Sequence, residues 1–322
     1  MGKYTQLTQE QRYQIYAFKK AGFSQTAIAY EIEVHKSTVS REIRRNRGKR
    51  GYRPKQAHAM AVGRRSKAKK SVKMTPQVVA LIEDLVRQDF SPEQVCGFLK
   101  RKHTIQISHE TVYQHVLADK AKGGSLYRHL RHAHKKRKKR YGSCDRRGQI
   151  KGRVSIDERP AIVDTKKRLG DWEIDTIIGK KHKGALLSLV ERKTKFTQIR
   201  KLAKKQADLV AEAAIDLLSP HEEKVFTITA DNGQEFAHHE YIKEQLTTDV
   251  YFAHPYHGWE RGLCENTNGL IRQYFPKTMD FQTITEDQIN MAMNRLNNRP
   301  RKTLGYKTPY EVFFQTITKQ AA

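Results

Sequence analysis

From Gly170 onward the chain alternates short apolar, β-branched runs with one amphipathic helix, and that order leaves few folds open. Residues 171–178, 185–190, 195–202 and 225–229 have the length and composition of strands. Between the third and fourth, residues 206–218 carry apolar side chains at helical spacing. Three consecutive strands, a helix and a further strand predict a mixed sheet flanked by helices.

The acids on those elements narrow the chemistry. Asp171, Glu173 and Asp175 fall at alternate positions and so share one face of the first strand. Asp231 lies just past the fourth strand, where α/β sheets place their ligands. Glu265 lies on an expected helix, with Arg261, Asn268, Gly269 and Arg272 at spacings that share its face. Phosphodiester chemistry calls for such a set: a pair of Mg²⁺ ions about 4 Å apart can activate the attacking oxygen and stabilise the leaving one. Hard cations take oxygen ligands, and a few carboxylates leave room for water and substrate phosphate. Asp175, Asp231 and Glu265 are therefore the candidate catalytic and metal-binding residues, whereas Glu173 reads as an acid paired with a nearby Lys or Arg. Arg261 and Arg272 are expected along the DNA backbone. This strand order, with acids so placed, is the ribonuclease H-like arrangement.

The charge is distributed unevenly. Of 62 Lys+Arg and 34 Asp+Glu, residues 1–160 hold 38 and 13, a net of +25, and residues 161–322 hold 24 and 21, a net of +3. A very basic half joined to a near-neutral half suggests a nucleic-acid-gripping part attached to a part with another task. Within the basic half, Thr8, Ser24 and Ser37 read as N-caps of three short helices, the last two joined by a tight turn as in a helix-turn-helix. The third helix is expected to expose Lys36, Ser37, Ser40, Arg41, Arg44, Arg45 and Asn46, residue types that bond phosphates and base edges. Thr75-Pro76, Ser91-Pro92 and Ser108 start a second set of three, with Thr111-Val112 and Val116 echoing Thr38-Val39 and Ile43. The expected organisation is a helix-turn-helix domain over 1–50, a basic linker over 51–73, a second helix-turn-helix-like domain over 74–120, a basic linker over 121–160 and the catalytic domain over 161–322. The linkers would add salt-sensitive, sequence-independent affinity for phosphates.

Other classes fall away. No run approaches the roughly 20 apolar residues of a membrane span, and the first residues lack the apolar core of a signal peptide. Cys96, Cys144 and Cys264 are too widely spaced for a disulfide framework. His129, His132 and His134 near Cys144 lack a second ligand pair spaced for a closed tetrahedral site. A reduced, cytoplasmic protein without membrane partners is expected.

Three stretches bring the readings together. Gly170-Asp171-Trp172-Glu173-x-Asp175-Thr176, Thr229-Ala230-Asp231-Asn232-Gly233-x-Glu235-Phe236 and Pro255-Tyr256-His257-x-Trp259-Glu260-Arg261-Gly262-x-x-Glu265-Asn266-Thr267-Asn268-Gly269-Leu270-Ile271-Arg272-Gln273 resemble the DDE transposases of the IS-thirty insertion-sequence family, as does the tail Leu296-Asn297-Asn298-Arg299-Pro300-Arg301-Lys302-Thr303-Leu304-Gly305-Tyr306. The 55 residues between Asp175 and Asp231 and the 33 between Asp231 and Glu265 match that family's spacing. The resemblance implies an α/β ribonuclease H-like (integrase-type) catalytic core preceded by all-α helix-turn-helix DNA-binding domains. It implies two Mg²⁺ ions, with Mn²⁺ as a substitute, held by Asp175, Asp231 and Glu265. It further implies double-stranded DNA as partner, both terminal inverted repeats and target, a homodimer or higher oligomer on DNA, and a bacterial protein associated with the nucleoid when bound. Cys264, where Asn is usual, and Tyr306, where Trp is common, depart from the pattern; Cys264 is expected to point off the metal face. A DNA-binding regulator with an inactive core and a plain endonuclease are the rival readings, and the intact acids disfavour the first.

Overall fold

The computed structural model describes residues 6–68, 73–131, 150–255 and 257–320. Two compact units make up the chain, Met1–Val72 and Lys73–Ala322. The first holds helices α1 (Gln9–Lys20), α2 (Gln25–Glu31) and α3 (Lys36–Asn46), a small hairpin of β1 (Arg47–Gly48) and β2 (Gly51–Tyr52), and α4 (Pro54–Lys67). Thr8 and Gln11 form a capping box at the start of α1, and Ser24 caps α2, as their sequence positions suggest. Helix α3 starts two residues earlier than a Ser37 cap suggests: His35 is its N-cap, and its Nδ1 accepts from the Ser37 amide at 3.2 Å. Ile15, Ile28, Val39 and Ile43 meet in a core closed by Tyr52 and Ala57. Inside it Arg12 and Glu42 form a buried pair at 2.8 Å.

The expected linker 51–73 is instead largely helical. Pro54 starts α4 and Ala57 buries against the core, so α4 completes a four-helix unit with α1 and α3. A basic segment of good helix formers needs only a small apolar contact to dock, which its charge conceals. Asn46 is corrected by the same helix. It is buried, its Oδ1 accepting from Arg64 of α4, and so it is not on the exposed face of α3.

In the second unit, α5 (Pro76–Arg87), α6 (Pro92–His103) and α7 (His109–Ala121) pack around Ile82, Val86, Val95, Leu99, Val112 and Val116, each helix capped by the predicted Thr75, Ser91 or Ser108. There follow β3 (Val154–Ser155), α8 (Ile162–Thr165), β4 (Asp171–Ile178), β5 (Ala185–Glu191), β6 (Thr197–Leu202), α9 (Ala207–Leu218), β7 (Thr227–Ala230), α10 (His239–Leu246), β8 (Asp249–Phe252), α11 (Gly262–Tyr274), α12 (Glu286–Asn298) and α13 (Pro309–Gln320). The expected linker 121–160 thus contributes a strand, β3, at the edge of the sheet, while residues 132–149, with His132, His134, Cys144 and most of the basic run, lie outside the described residues.

The sheet runs β3-β8-β7-β4-β5-β6. Strands β4, β5 and β6 form an antiparallel meander, and β7, β8 and β3 join β4 in parallel. A meander followed by parallel strands on the far side of its first member is the ribonuclease H-like topology. Alternation along β4 divides its side chains. Trp172 and Ile174 enter the core that includes Val210 and Ala214 of α9, whereas Ile177 enters the one that includes Leu270 and Ile271 of α11. Asp171, Glu173 and Asp175 share the Ile177 parity and so face α11.

The helical bundle α5–α7 is joined to the core through Asp89, in the turn after α5. Its carboxylate takes bonds from His129 Nδ1 (2.9 Å), Tyr274 Oη (3.0 Å) and Arg295 Nη1 (2.5 Å), with Arg299 at 3.4 Å. Burial works to raise the pKa of Asp89, but these bonds and charges outweigh it and hold it below the ordinary carboxylate range. Arg101 adds a pair to Glu311 at 2.8 Å. Gly97 of α6 leaves the space that the ring of Tyr306 fills, too close for a Cβ.

Candidate active site

Asp175 sits mid-way along β4, opposite Ser188 of β5, and Asp231 directly follows β7, the parallel neighbour of β4. One guanidinium joins them: Arg261 Nη1 lies 3.7 Å from Asp175 Oδ2 and Nη2 lies 3.2 Å from Asp231 Oδ2. Arg261 Nη1 also donates to the Ile174 carbonyl at 3.2 Å. The Thr176 amide bonds Asp175 Oδ1 and Asn268 Nδ2 bonds Oδ2, both at 2.8 Å, so both carboxylate oxygens are oriented. The Gly233 amide holds Asp231 Oδ1 at 2.9 Å.

The electrostatics show a site short of positive charge. Burial pushes the Asp175 carboxyl up to about 6; Arg261 and the Thr176 amide oppose this, while the charges of Asp231 and Glu235 add to it. Burial also opposes the charge on Arg261, but Asp175 and Asp231 outweigh it and raise its pKa. Oxygen donors alone, preset in orientation and under-neutralised, fit a hard divalent cation.

Glu265 lies on the exposed side of α11, one turn past Arg261. Its carboxylate does not gather with those of Asp175 and Asp231 within 4.8 Å; among the described residues the cluster that tight is His254, His257 and Glu260, in the turn before α11. Arg261 and Arg272 both turn inward. Arg272 Nη2 donates to the Ile178 carbonyl at 2.8 Å and its guanidinium lies over Phe281, 5.3 Å from the ring centroid. Helical spacing places both on the face of Glu265 but does not show that this face packs on the sheet edge. In the first unit Lys36, Ser40, Arg41, Arg44 and Arg45 are exposed on α3 and Ser37 is partly so.

The other acids of β4 are structural. Glu173 is buried, pairs with Arg192 at 3.1 Å and accepts the Cys264 amide at 2.8 Å, which fastens the start of α11 to the sheet. Asp171 is buried against Arg168 at 2.5 Å and Thr227 at 2.8 Å. Cys264 is buried with its Sγ 3.8 Å from Ser188 Oγ, the cross-strand neighbour of Asp175; burial pushes its thiol well up and the charges of Asp175 and Glu173 add to this, so the side chain lies beside the carboxylates and not away from them. Two contributors went unassigned in the sequence. Asn268 bridges Asp175 and Ser188, accepting from the latter at 2.8 Å, and the buried Glu235 takes Lys205 at 2.6 Å and Thr176 Oγ1 at 3.0 Å. Both stand within the motifs quoted for the resemblance, which was the signal for them.

A helix-turn-helix unit ahead of a ribonuclease H-like core, with carboxylates at adjacent parallel strands, is the architecture of DNA transposases and integrases. Residues 3–46 match the family model described as a helix-turn-helix domain. The chain is 47% identical over 317 residues to the transposase for insertion sequence element IS4351 of Bacteroides fragilis, covering 98% of this chain and 97% of that one. It is 35% identical to the transposase InsI for insertion sequence element IS30C of Escherichia coli K12, over 95% and 82% of the two chains. The catalytic core domain of BIV integrase aligns with 47% of this chain and 98% of its own, at 21% identity and a TM-score of 0.39. The chain belongs to the IS30 family of insertion-sequence transposases.

Proposed function

We propose that the protein binds the terminal inverted repeats of its own insertion sequence and cuts and joins DNA at Asp175, Asp231 and Glu265, with two Mg²⁺ ions held by these carboxylates and Mn²⁺ as a substitute. The observation that carries the reading is the sharing of one guanidinium by Asp175 and Asp231, with Asp175 still raised to about 6. Such ions, when bound, activate the attacking oxygen and stabilise the leaving one. The chain's own groups prepare the site. Thr176 and Asn268 orient Asp175, Gly233 orients Asp231, and Glu173 anchors the helix that carries Glu265. Glu265 is exposed and supplies the third carboxylate. Lys36, Ser37, Ser40, Arg41, Arg44 and Arg45 of α3 contact the inverted repeat. Bringing two element ends together requires at least a dimer.

The test is strand transfer. Purified protein with Mg²⁺ and a duplex carrying the repeat that flanks its gene should give products joined to target DNA; cleavage without joining would make it an endonuclease. Asp231→Asn should abolish cutting and joining and leave end binding intact. Normal cleavage by that variant would sink the assignment of the carboxylates.

A further inference from the structure

Trp259 is 72% exposed, while the chain's other tryptophan, Trp172, is fully buried. It stands in the turn Gly258–Arg261, two residues before the guanidinium that Asp175 and Asp231 share. The turn is braced. His254 bonds Glu260 Oε1 through Nδ1 and Asp157 Oδ2 through Nε2, both at 2.9 Å, and its amide donates to Glu260 Oε2 at 2.8 Å. The His257 ring meets the indole at 4.3 Å and 75°. A large aromatic ring held on a fixed turn with most of its surface in water contributes little to the core, and its flat face suits a stacking partner.

The indole lines a cleft of about 660 Å³ together with Ile156, Arg159, Lys166, Arg192 and His254, a size that suits one small-molecule-sized group. The acids of its wall are already engaged: Asp164 by Arg159 at 2.5 Å and Arg192 at 3.4 Å, Glu173 by Arg192 at 3.1 Å, and Asp157 and Glu260 by His254. Lys166 is exposed and forms no ion pair among the described residues, so it is a cation of the cleft wall that those acids do not engage. An aromatic platform with an uncommitted cation is the pairing that holds a base and its phosphate.

We propose that this cleft takes one nucleotide extruded from the DNA next to the cleaved phosphate, its base stacked on Trp259 and its phosphate facing Lys166. The proposal rests on the reading of Asp175, Asp231 and Glu265 as the cleavage site. A base inside a duplex cannot reach the indole face, so stacking there requires the nucleotide to leave the helix, and the stack offsets part of the unpairing cost. Trp259 is thus a positioning residue for the cut.

The experiment places 2-aminopurine at successive positions around the cleaved phosphate of the inverted-repeat duplex. Bound to the non-cleaving Asp231→Asn protein, one position should brighten. In the Asp231→Asn, Trp259→Ala double variant that brightening should be lost, and Trp259→Phe should preserve it. In the active protein Trp259→Ala should slow cleavage about 5- to 150-fold, the range one lost base–aromatic stack produces, and an abasic nucleotide at the brightened position should restore most of the rate. Equal brightening and equal rates with and without Trp259 would overturn the proposal. Cleavage by Asp231→Asn would overturn the catalytic reading instead, and the two failures are read on separate signals.

Discussion

Asp175→Asn should make the protein more stable as well as inactive. An ordinary aspartate has a pKa of 3.8, and in the fold that of Asp175 is about 6, because burial and the charges of Asp231 and Glu235 outweigh the help from Arg261 and the Thr176 amide. A carboxyl with a raised folded pKa binds its proton more tightly in the native state than in the unfolded chain. Stability is then greatest at low pH, falls as pH rises from about 4 to about 6, and stays reduced above that. At 1.36 kcal/mol per pH unit, the ionised side chain costs the fold about 3 kcal/mol at neutral pH. Asparagine resembles the protonated form in shape and removes that cost. It keeps an oxygen for the Thr176 amide.

Urea or thermal unfolding of both proteins with divalent ions chelated should therefore show Asp175→Asn ahead by about 3 kcal/mol at pH 7.5, falling to about 1 kcal/mol at pH 4.5. In a unit of this size the larger gain corresponds to roughly 6–12 °C in Tm. Strand cleavage should be absent throughout. A variant less stable than wild type at pH 7.5, or a gain that is the same at both pH values, would refute the reasoning, since either result means that the carboxylate is not held against its preference.

Asp89→Asn leaves Arg295 and Arg299 without their counter-charge and should cost about 3–5 kcal/mol by urea titration; because the folded pKa of Asp89 is lowered, the stability it supplies is present above about pH 4 and is lost as pH falls through that lowered value. Glu42→Gln strands the buried Arg12 in the first unit, with a similar loss of about 3–5 kcal/mol seen in thermal unfolding and a parallel loss of end binding in gel shifts. Arg41→Gln, on the exposed face of α3, should leave folding unchanged while weakening end binding and lowering the slope of log K against log salt by about 0.9 for the lost phosphate contact.

Much of this fold is written locally. The Ser and Thr caps mark five of the seven helix starts in the two helical bundles, and β4 begins and ends where its apolar alternation does. Strand β6 starts two residues later than its composition suggests, because Lys195 adopts a left-handed backbone in the turn from β5. Strands β3 and β8 are short and take their conformation from pairing with each other and with β7, a non-local cause that periodicity does not report. The pairing of Asp175 with Asp231 was legible from their places on neighbouring strands. The inward turn of Arg261 was not. Arg261 and Asp175 are 86 positions apart, and a guanidinium on a helix reads the same whether it faces DNA or a carboxylate. Asn46 failed for the same reason: Arg64, its partner, comes from a helix that composition presents as linker.

The three acids of β4 point to one face of one strand, yet only one of them is proposed to hold metal, and the difference lies in what each faces. Asp171 meets Arg168 and Thr227; Glu173 meets Arg192 and the Cys264 amide. Each of these has a cation close by. Asp175 has half of one, because Arg261 also serves Asp231, and Glu235 nearby is already committed to Lys205. Two carboxylates and one guanidinium leave a residual negative charge of one at this point on the sheet. A DNA phosphate cannot approach that charge favourably unless further positive charge arrives with it. The fold thus makes binding of substrate and binding of cation interdependent, and a weaker share for Arg261, as in Arg261→Gln, would tighten cation binding at the expense of the site's stability before the cation arrives.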